Sequence, residues 1–208
     1  MTSVALVDYG SGNVHSVAKA LRHVGAEVVL TADPKQIGDA DRLVLPGVGA
    51  FADCASGVRE RGLVEPLRAY AASGRPFLGI CVGMQLLFGE SEEFGRHAGL
   101  GLIPGRVKAI LPPPGIKVPH IGWNSIYPAQ DRSWGGTPLQ GLQPGAMVYF
   151  VHSYSADPAD AADWLAVAHY GGYRISAAVR RGNVWGCQFH PEKSGELGLG
   201  VLRRWLDS

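Results

Sequence analysis

The stretch Gly79-Ile80-Cys81-Val82-Gly83 decides the fold of this chain. An apolar run precedes the cysteine and predicts a strand, and the residues that follow it predict a helix. Cys81 therefore stands at a sharp strand-to-helix turn, where the glycines two positions away remove side chains that would collide. The pattern predicts a nucleophile elbow. Backbone N–H groups and the helix dipole would favour a thiolate at such a corner.

The elbow belongs to a series of alternating strands and helices. Short aliphatic runs predict strands at residues 4–7, 26–30, 42–45 and 77–81, and helical spacing of apolar residues predicts helices at 14–21 and 58–72. Such alternation predicts a parallel sheet that is covered by helices on both faces. The predicted class is therefore α/β, with an open, mostly parallel central sheet flanked by helices.

The second half of the chain has a different pattern. From about Val107, short β-branched and aromatic segments are separated by proline and glycine, as in residues 112–115 and 131–145. These segments predict an added antiparallel β-hairpin region with loops. Further strands are predicted at 147–151, 164–169, 175–179 and 184–189, followed by a helix from Gly195 to Leu206.

Composition restricts the classes of function. The chain has 208 residues, 46% of them hydrophobic, which predicts a single domain over residues 1–208. A net charge of +1 offers no field for nucleic acid or an anionic membrane. Cys54, Cys81 and Cys187 are an odd set without C-x-x-C spacing, which argues against disulfides and zinc and favours a reducing cytoplasm. No metal or cofactor is expected, and the apolar run at 4–7 is too short for a signal or membrane segment.

A histidine and a carboxylate stand together near the C-terminus, in His190-Pro191-Glu192. A cysteine nucleophile needs an imidazole to take and return a proton, and a carboxylate to hold that imidazole. Ligands of parallel sheets bind at the carboxyl ends of the strands, where Cys81 and His190 are both predicted to lie. His120 and His152 have no carboxylate nearby and are interpreted as structural. The alternative for Cys81 is a buried packing residue, as is expected for Cys54 and Cys187.

The loop at residues 45–51, Leu-Pro-Gly-Val-Gly-Ala-Phe, follows another predicted strand. With Val82 N–H, the backbone of Val48 and Gly49 would form an oxyanion hole; an ordinary turn is the alternative. Glycines on both sides of Val48 also allow its peptides to rotate, which predicts regulation at this loop. Gln85 lies one helical turn after Cys81, on the same face.

These motifs resemble those of the class I, triad-type glutamine amidotransferases. Residues 117–124 and 149–154 are similar to segments of the glutaminase subunits of imidazole glycerol phosphate synthase. The resemblance implies hydrolysis of glutamine to glutamate and ammonia by Cys81, His190 and Glu192, with Gly49, Gln85, Ser153 and Tyr154 contacting glutamine. It also implies a heterodimer with a (β/α)8-barrel cyclase in histidine biosynthesis, with Asn13, Tyr149 and Lys193 at the interface.

Three alternatives remain at the level of the sequence. One is a glutaminase that serves another ammonia-using synthase, and a second is a stand-alone cysteine hydrolase without a partner. The third is a nucleotide-binding module, indicated by Gly10-Ser11-Gly12 after the first strand. That third reading is weak because His15 stands where G-x-G-x-x-G requires its last glycine.

Overall fold

Strands and helices alternate along the first half of the chain, as the sequence predicts. The computed structural model describes residues 2–10, 13–130 and 132–208. The strands are β1 Ser3–Val7, β2 Glu27–Thr31, β3 Arg42–Leu45, β4 Phe77–Ile80, β5 Phe88–Ser91, β6 His97–Ala98, β7 Ile103–Ala109, β8 His120–Pro128, β9 Ala146–His152, β10 Tyr154–Pro158, β11 Trp164–Tyr170, β12 Tyr173–Arg181 and β13 Val184–Cys187. The α-helices are α1 Val14–His23, α2 Pro34–Asp39, α3 Phe51–Glu60, α4 Val64–Ala72, α5 Val82–Leu86 and α6 Gly195–Asp207.

The described strands form a nine-stranded mixed sheet and a four-stranded sheet. The large sheet has the order β2-β1-β3-β4-β13-β12-β11-β8-β9, and the small one the order β10-β7-β5-β6. Pairing is parallel from β2 to β13 and antiparallel from β13 to β9. The α/β class is confirmed. Several of the predicted antiparallel strands extend the central sheet, and β10 and β7 pair in the second sheet.

Burial explains why the parallel strands form the centre. Every residue of β4 and β13 is buried, as expected for strands that are covered on both faces. Helix α1 turns Val17 and Leu21 inward, and α6 buries Trp205 completely. Helix α1 packs against α6, and α2 packs against α4. Because the strands from β2 to β13 pair in parallel, their carboxyl ends lie at one edge of the sheet.

The helix predicted over residues 58–72 is wrong in its bounds. Two helices, α3 and α4, replace it, and α3 begins at Phe51. Gly62 adopts a left-handed conformation with φ +66°, and the N–H groups of Gly62 and Leu63 donate to the carbonyls of Arg59 and Val58. This is a glycine-terminated helix end, which the apolar periodicity does not reveal.

Two further findings concern the nucleotide-binding alternative and the expectation of no membrane segment. Ser11 and Gly12, in the weak nucleotide-binding pattern, lie outside the described residues. Among the described helices, none is long and apolar enough to cross a membrane.

Candidate active site

Cys81 lies at the corner between β4 and α5 in a strained backbone conformation, with φ +56° and ψ −115°. Its N–H donates to the carbonyl of Cys187 at 2.8 Å, which joins the corner to β13. A Cβ on Gly83 would lie 1.9 Å from the Leu45 carbonyl oxygen, and one on Gly79 would lie 2.6 Å from the Gly83 oxygen. Both positions therefore require glycine because backbone approaches backbone there.

His190 and Glu192 follow β13, and the short 3₁₀ turn Pro191–Lys193 folds the carboxylate back onto the ring. Nδ1 of His190 lies 2.8 Å from Oε1 of Glu192, and the two side chains are 2% and 1% exposed. Nε2 is buried and faces the Cys81 thiol, with no other partner among the described residues. Burial opposes the charged ring, but the neighbouring Cys81 and Glu192 favour it and raise the pKa of His190 to about 9.

Cys81 and His190 open into a cavity of about 360 Å³. The cavity contains nearly all the residues predicted for the site from the sequence, apart from the buried Glu192 and from Tyr149. Its lining comprises Asn13, Val48, Gly49, Cys81, Val82, Gln85, Glu93, Val151, His152, Ser153, Tyr154, His190 and Lys193. Tyr149 lies just outside, with its ring 5.9 Å from the Lys193 ammonium.

The loop between β3 and α3 forms one wall of the cavity. Val82 begins α5, so its N–H has no partner within the helix. The Val48 carbonyl accepts a hydrogen bond from the Cys54 thiol at 3.4 Å, which holds the Val48–Gly49 peptide through its oxygen. Gly49 has φ +88°, and a Cβ there would meet no atom within 4 Å. Open space therefore surrounds Gly49, and its positive φ is what favours glycine there, whereas a Cβ on Gly47 in the same loop would lie 2.7 Å from Gly83 N.

The structure places two residues in the site to which the sequence reasoning gave no role. Glu93 is 9% exposed, lines the cavity, and accepts a hydrogen bond from Phe51 N–H at the start of α3. Gln188 is fully buried; its amide donates to the Cys81 sulphur at 3.6 Å and accepts from Gln85 at 3.0 Å. Gln188 lies two residues before the His190-Pro191-Glu192 motif, so its position in the sequence could have indicated a role in the site. Nothing in the sequence distinguishes Glu93 from its acidic neighbours.

The residues interpreted as structural from the sequence are buried, and His152 among them also lines the cavity. His120 and His152 are paired at 2.9 Å, and burial lowers their pKa values to about 4 and about 3. Both rings are therefore neutral at pH 7. Cys54 and Cys187 are buried, and burial raises the pKa of the Cys187 thiol well above its usual value. Among the three thiols, only that of Cys81 lines the cavity.

The Cys81 thiol stands at a glycine-flanked elbow beside an imidazole that a carboxylate holds, which is an arrangement that cysteine nucleophiles use. The glutamine amidotransferase class-I family matches residues 5–206. The chain belongs to this family and is a glutamine-hydrolysing enzyme.

Curated relatives narrow the assignment. The chain is 51% identical to the imidazole glycerol phosphate synthase subunit HisH of Rhodospirillum rubrum, covering 98% of this chain and 97% of that protein. It is 47% identical to subunit HisH 1 of Legionella pneumophila strain Lens, with 99% of each covered. Within the family the chain therefore belongs to the HisH subunits. PurLQS from Thermotoga maritima shares the fold, with a TM-score of 0.75 and 22% identity over 99% of this chain and 98% of that one.

Proposed function

We propose that Cys81, His190 and Glu192 are the catalytic triad of a glutaminase that supplies ammonia for imidazole glycerol phosphate synthesis in histidine biosynthesis. The observation that carries this proposal is the buried 2.8 Å contact between His190 and Glu192, with the free Nε2 facing the elbow thiol. This arrangement holds the imidazole in the orientation that a cysteine nucleophile needs.

The chemistry follows from the positions of these groups. Nε2 of His190 takes the proton of the Cys81 thiol as the sulphur attacks the side-chain amide carbon of glutamine. It then gives that proton to the departing nitrogen as the C–N bond breaks. Water that His190 then deprotonates hydrolyses the thioester and releases glutamate. The N–H groups of Val82 and of the Val48–Gly49 loop would bind the oxyanion. Glu192 stabilises the imidazolium that forms in each step.

The cavity also offers groups for the ends of glutamine. The Glu93 carboxylate faces the cavity on the side of α3 and would bind the α-ammonium group. Gly49, Gln85 and the corner Ser153–Tyr154 would bind the rest of the substrate. In Glu93→Gln we expect a raised KM for glutamine with a smaller change in kcat, because the positive ammonium group loses its charged partner while the triad is unchanged.

Ammonia is protonated and lost in solvent, so direct transfer to a second active site is expected. We propose a (β/α)8-barrel cyclase as the partner, in a heterodimer. An exposed apolar patch on β8 and β9 supports this proposal: Ile121, Trp123 and Met147 are 58%, 53% and 44% exposed, and Trp123 pairs with Tyr149 across the strands. The patch adjoins Lys193 and the cavity, which brings the proposed interface residues Asn13, Tyr149 and Lys193 next to the site.

The test is glutamate release by the purified chain, alone and with a barrel cyclase that carries its ribulosyl-aminoimidazole nucleotide. We expect hydrolysis to rise strongly in the complex and to disappear in Cys81→Ala. Trp123→Ala should weaken the complex by about 2 kcal/mol without changing the stability of the free chain. Equal hydrolysis without the cyclase would favour a stand-alone hydrolase, and no hydrolysis in either case would contradict the proposed triad.

We also propose that the partner activates the site through the Val48–Gly49 peptide. The Cys54 thiol holds the Val48 carbonyl, and rotation of this peptide would break that contact. Ligand binding at the cyclase would shift the loop toward the orientation that directs an N–H at the oxyanion. None of the three cysteines forms a disulfide, which supports a location in the cytoplasm.

A further inference from the structure

Two buried histidines stand opposite each other where β8 begins and β9 ends. His120 and His152 are register partners across the two strands. Nδ1 of His120 lies 2.9 Å from Nε2 of His152, and Nδ1 of His152 lies 2.8 Å from the Tyr154 carbonyl oxygen. Asn124 Nδ2 lies 3.3 Å from the other nitrogen of His120. The four groups form a continuous chain from β8 to the corner of the substrate cavity.

The direction of every hydrogen bond in this chain is determined by its two ends. Asn124 Nδ2 also donates to the His169 carbonyl at 2.9 Å, and Asn124 Oδ1 accepts from Ser125 N–H at 2.8 Å, so the amide has one possible orientation. At the other end a backbone carbonyl can only accept. His152 must therefore carry its proton on Nδ1 and present Nε2 as an acceptor.

The same logic then determines His120. Its Nδ1 must donate to the lone pair of His152, and its Nε2 must accept from the Asn124 amide. A second proton on either ring would face another donor, so both rings are held neutral in the Nδ1–H form. The ring of His120 lies between those of Tyr170 and Phe150, at centroid distances of 4.2 Å and 4.9 Å, which prevents it from turning.

Beyond Tyr154 the network reaches the nucleophile. The Tyr154 carbonyl accepts a second hydrogen bond from Gln85 Nε2 at 3.2 Å, and this nitrogen also donates to Gln188 Oε1 at 3.0 Å. The side-chain nitrogen of Gln188, Nε2, donates to the Cys81 sulphur at 3.6 Å. The corner Ser153–Tyr154 is thus held between the histidine pair on one side and the nucleophile's own partners on the other.

We propose that His120 and His152 are positioning residues of the glutaminase: as a neutral pair with both protons on Nδ1, they hold the Ser153–Tyr154 corner in the geometry that binds glutamine. This inference rests on the proposed function, since the corner matters only when glutamine is the substrate. Neither ring contacts the scissile amide in this assignment. Their effect is expected on substrate affinity more than on the chemical step.

The first test is the protonation state itself. Histidine side-chain ¹H–¹⁵N correlation spectra of the full chain at pH 7, assigned with His120→Asn and His152→Asn, distinguish protonated from unprotonated ring nitrogens. We expect Nδ1–H and an unprotonated Nε2 on both residues. A proton on Nε2 of either residue, or a charged ring, overturns the inference without reference to activity.

The second test separates positioning from simple stability. Asparagine at position 120 retains an N–H donor near the place of Nδ1, whereas leucine fills similar space without one. In the complex with the cyclase, His120→Leu should raise the KM for glutamine about tenfold, because a buried acceptor on His152 loses its donor, and should change kcat less. His120→Asn should restore most of the affinity. The exposed His23 in α1 provides the control, since His23→Gln should leave KM and kcat unchanged.

Equal KM values for His120→Leu and the unsubstituted chain would overturn the inference, as would equal impairment of the leucine and asparagine variants. If the leucine variant does not fold, the protonation states of His120 and His152 in the spectra of the unsubstituted chain test the inference. Absence of glutaminase activity in the unsubstituted complex contradicts the proposed function instead, and the ring protonation states distinguish that failure from failure of the histidine pair.

Discussion

Gly83→Ala tests whether close backbone packing at the elbow sets the position of the nucleophile. The new Cβ would lie 1.9 Å from the Leu45 carbonyl oxygen, and Cβ atoms essentially never approach a heavy atom closer than 3.0 Å. The end of β3 and the start of α5 must therefore separate by at least 1.1 Å. The Leu45 and Pro46 backbone atoms cannot rotate away as a side chain would. We expect the free energy of unfolding to fall by about 1–3 kcal/mol, as for other overpacked cores.

The effect on catalysis should exceed the effect on stability. Cys81 lies two residues before Gly83, and a displacement of about 1 Å at a reacting group costs on the order of 100-fold in rate. The assay is glutamate release by the cyclase complex, with chemical denaturation for stability. Gly62→Ala is the control: it strains a left-handed glycine with φ +66° that does not line the cavity, and its Cβ meets nothing within 4 Å. Full glutaminase activity in a folded Gly83→Ala would refute this reasoning.

Three further predictions address charge. Glu192→Gln should reduce glutaminase activity at least 100-fold, because a neutral amide cannot stabilise the His190 imidazolium; an active variant with normal kcat would contradict the triad. Arg181→Ala should destabilise the chain by about 1–2 kcal/mol in denaturant unfolding, since Asp163, 5% exposed, loses a partner that is itself 45% exposed. Acid should destabilise the fold between pH 6.5 and about 4, because unfolding lets His120 bind a proton that it excludes when folded. The loss in the free energy of unfolding over this pH range is about 3 kcal/mol for His120, and it should be smaller in His120→Asn. His190 acts in the opposite sense: its contribution is present below pH 6.5 and is lost as the pH rises through about 9.

The local features of the site were accessible from the sequence because each depends on neighbouring residues. The elbow at Cys81 needs glycines at fixed offsets, and these positions are the ones where backbone atoms crowd. The predicted strand at residues 42–45 matches β3, because a short aliphatic run with turn residues at both ends is typical of a buried strand. The end of helix α3 before Gly62 was not predicted. A glycine within an apolar helical pattern can continue the helix, so the pattern does not indicate a left-handed conformation there.

The roles of residues that meet only in the folded chain could not be predicted from the sequence. Glu93 reaches the cavity because the turn after β5 lies over the start of α3, a contact across 42 residues of chain. Gln188 touches the Cys81 sulphur across 107 residues. The apolar patch is also a product of topology, because β8 and β9 form the uncovered end of the large sheet. Alternation places Ile121 and Trp123 on its exposed face.

Strand β13 is the point where the parallel and antiparallel halves of the sheet meet, and the backbone of each reacting residue is hydrogen-bonded to a different strand. The Cys81 N–H is bonded to the Cys187 carbonyl, within the parallel half. His190 lies beyond the end of β13, and its N–H donates directly to the Tyr149 carbonyl of β9. Its carbonyl is linked to the same residue through Ser194, whose Oγ donates to His190 and accepts from Tyr149 N–H.

Tyr149 therefore connects the base to the proposed docking strand. Its side chain lies opposite Trp123 in the apolar patch, while its backbone holds His190. A partner that shifted β9 would act on the His190 backbone through Tyr149, whereas the Cys81 backbone is bonded to Cys187 of β13. We therefore propose that a partner seated on the patch affects activity through this connection, in addition to rotation of the loop at Gly49.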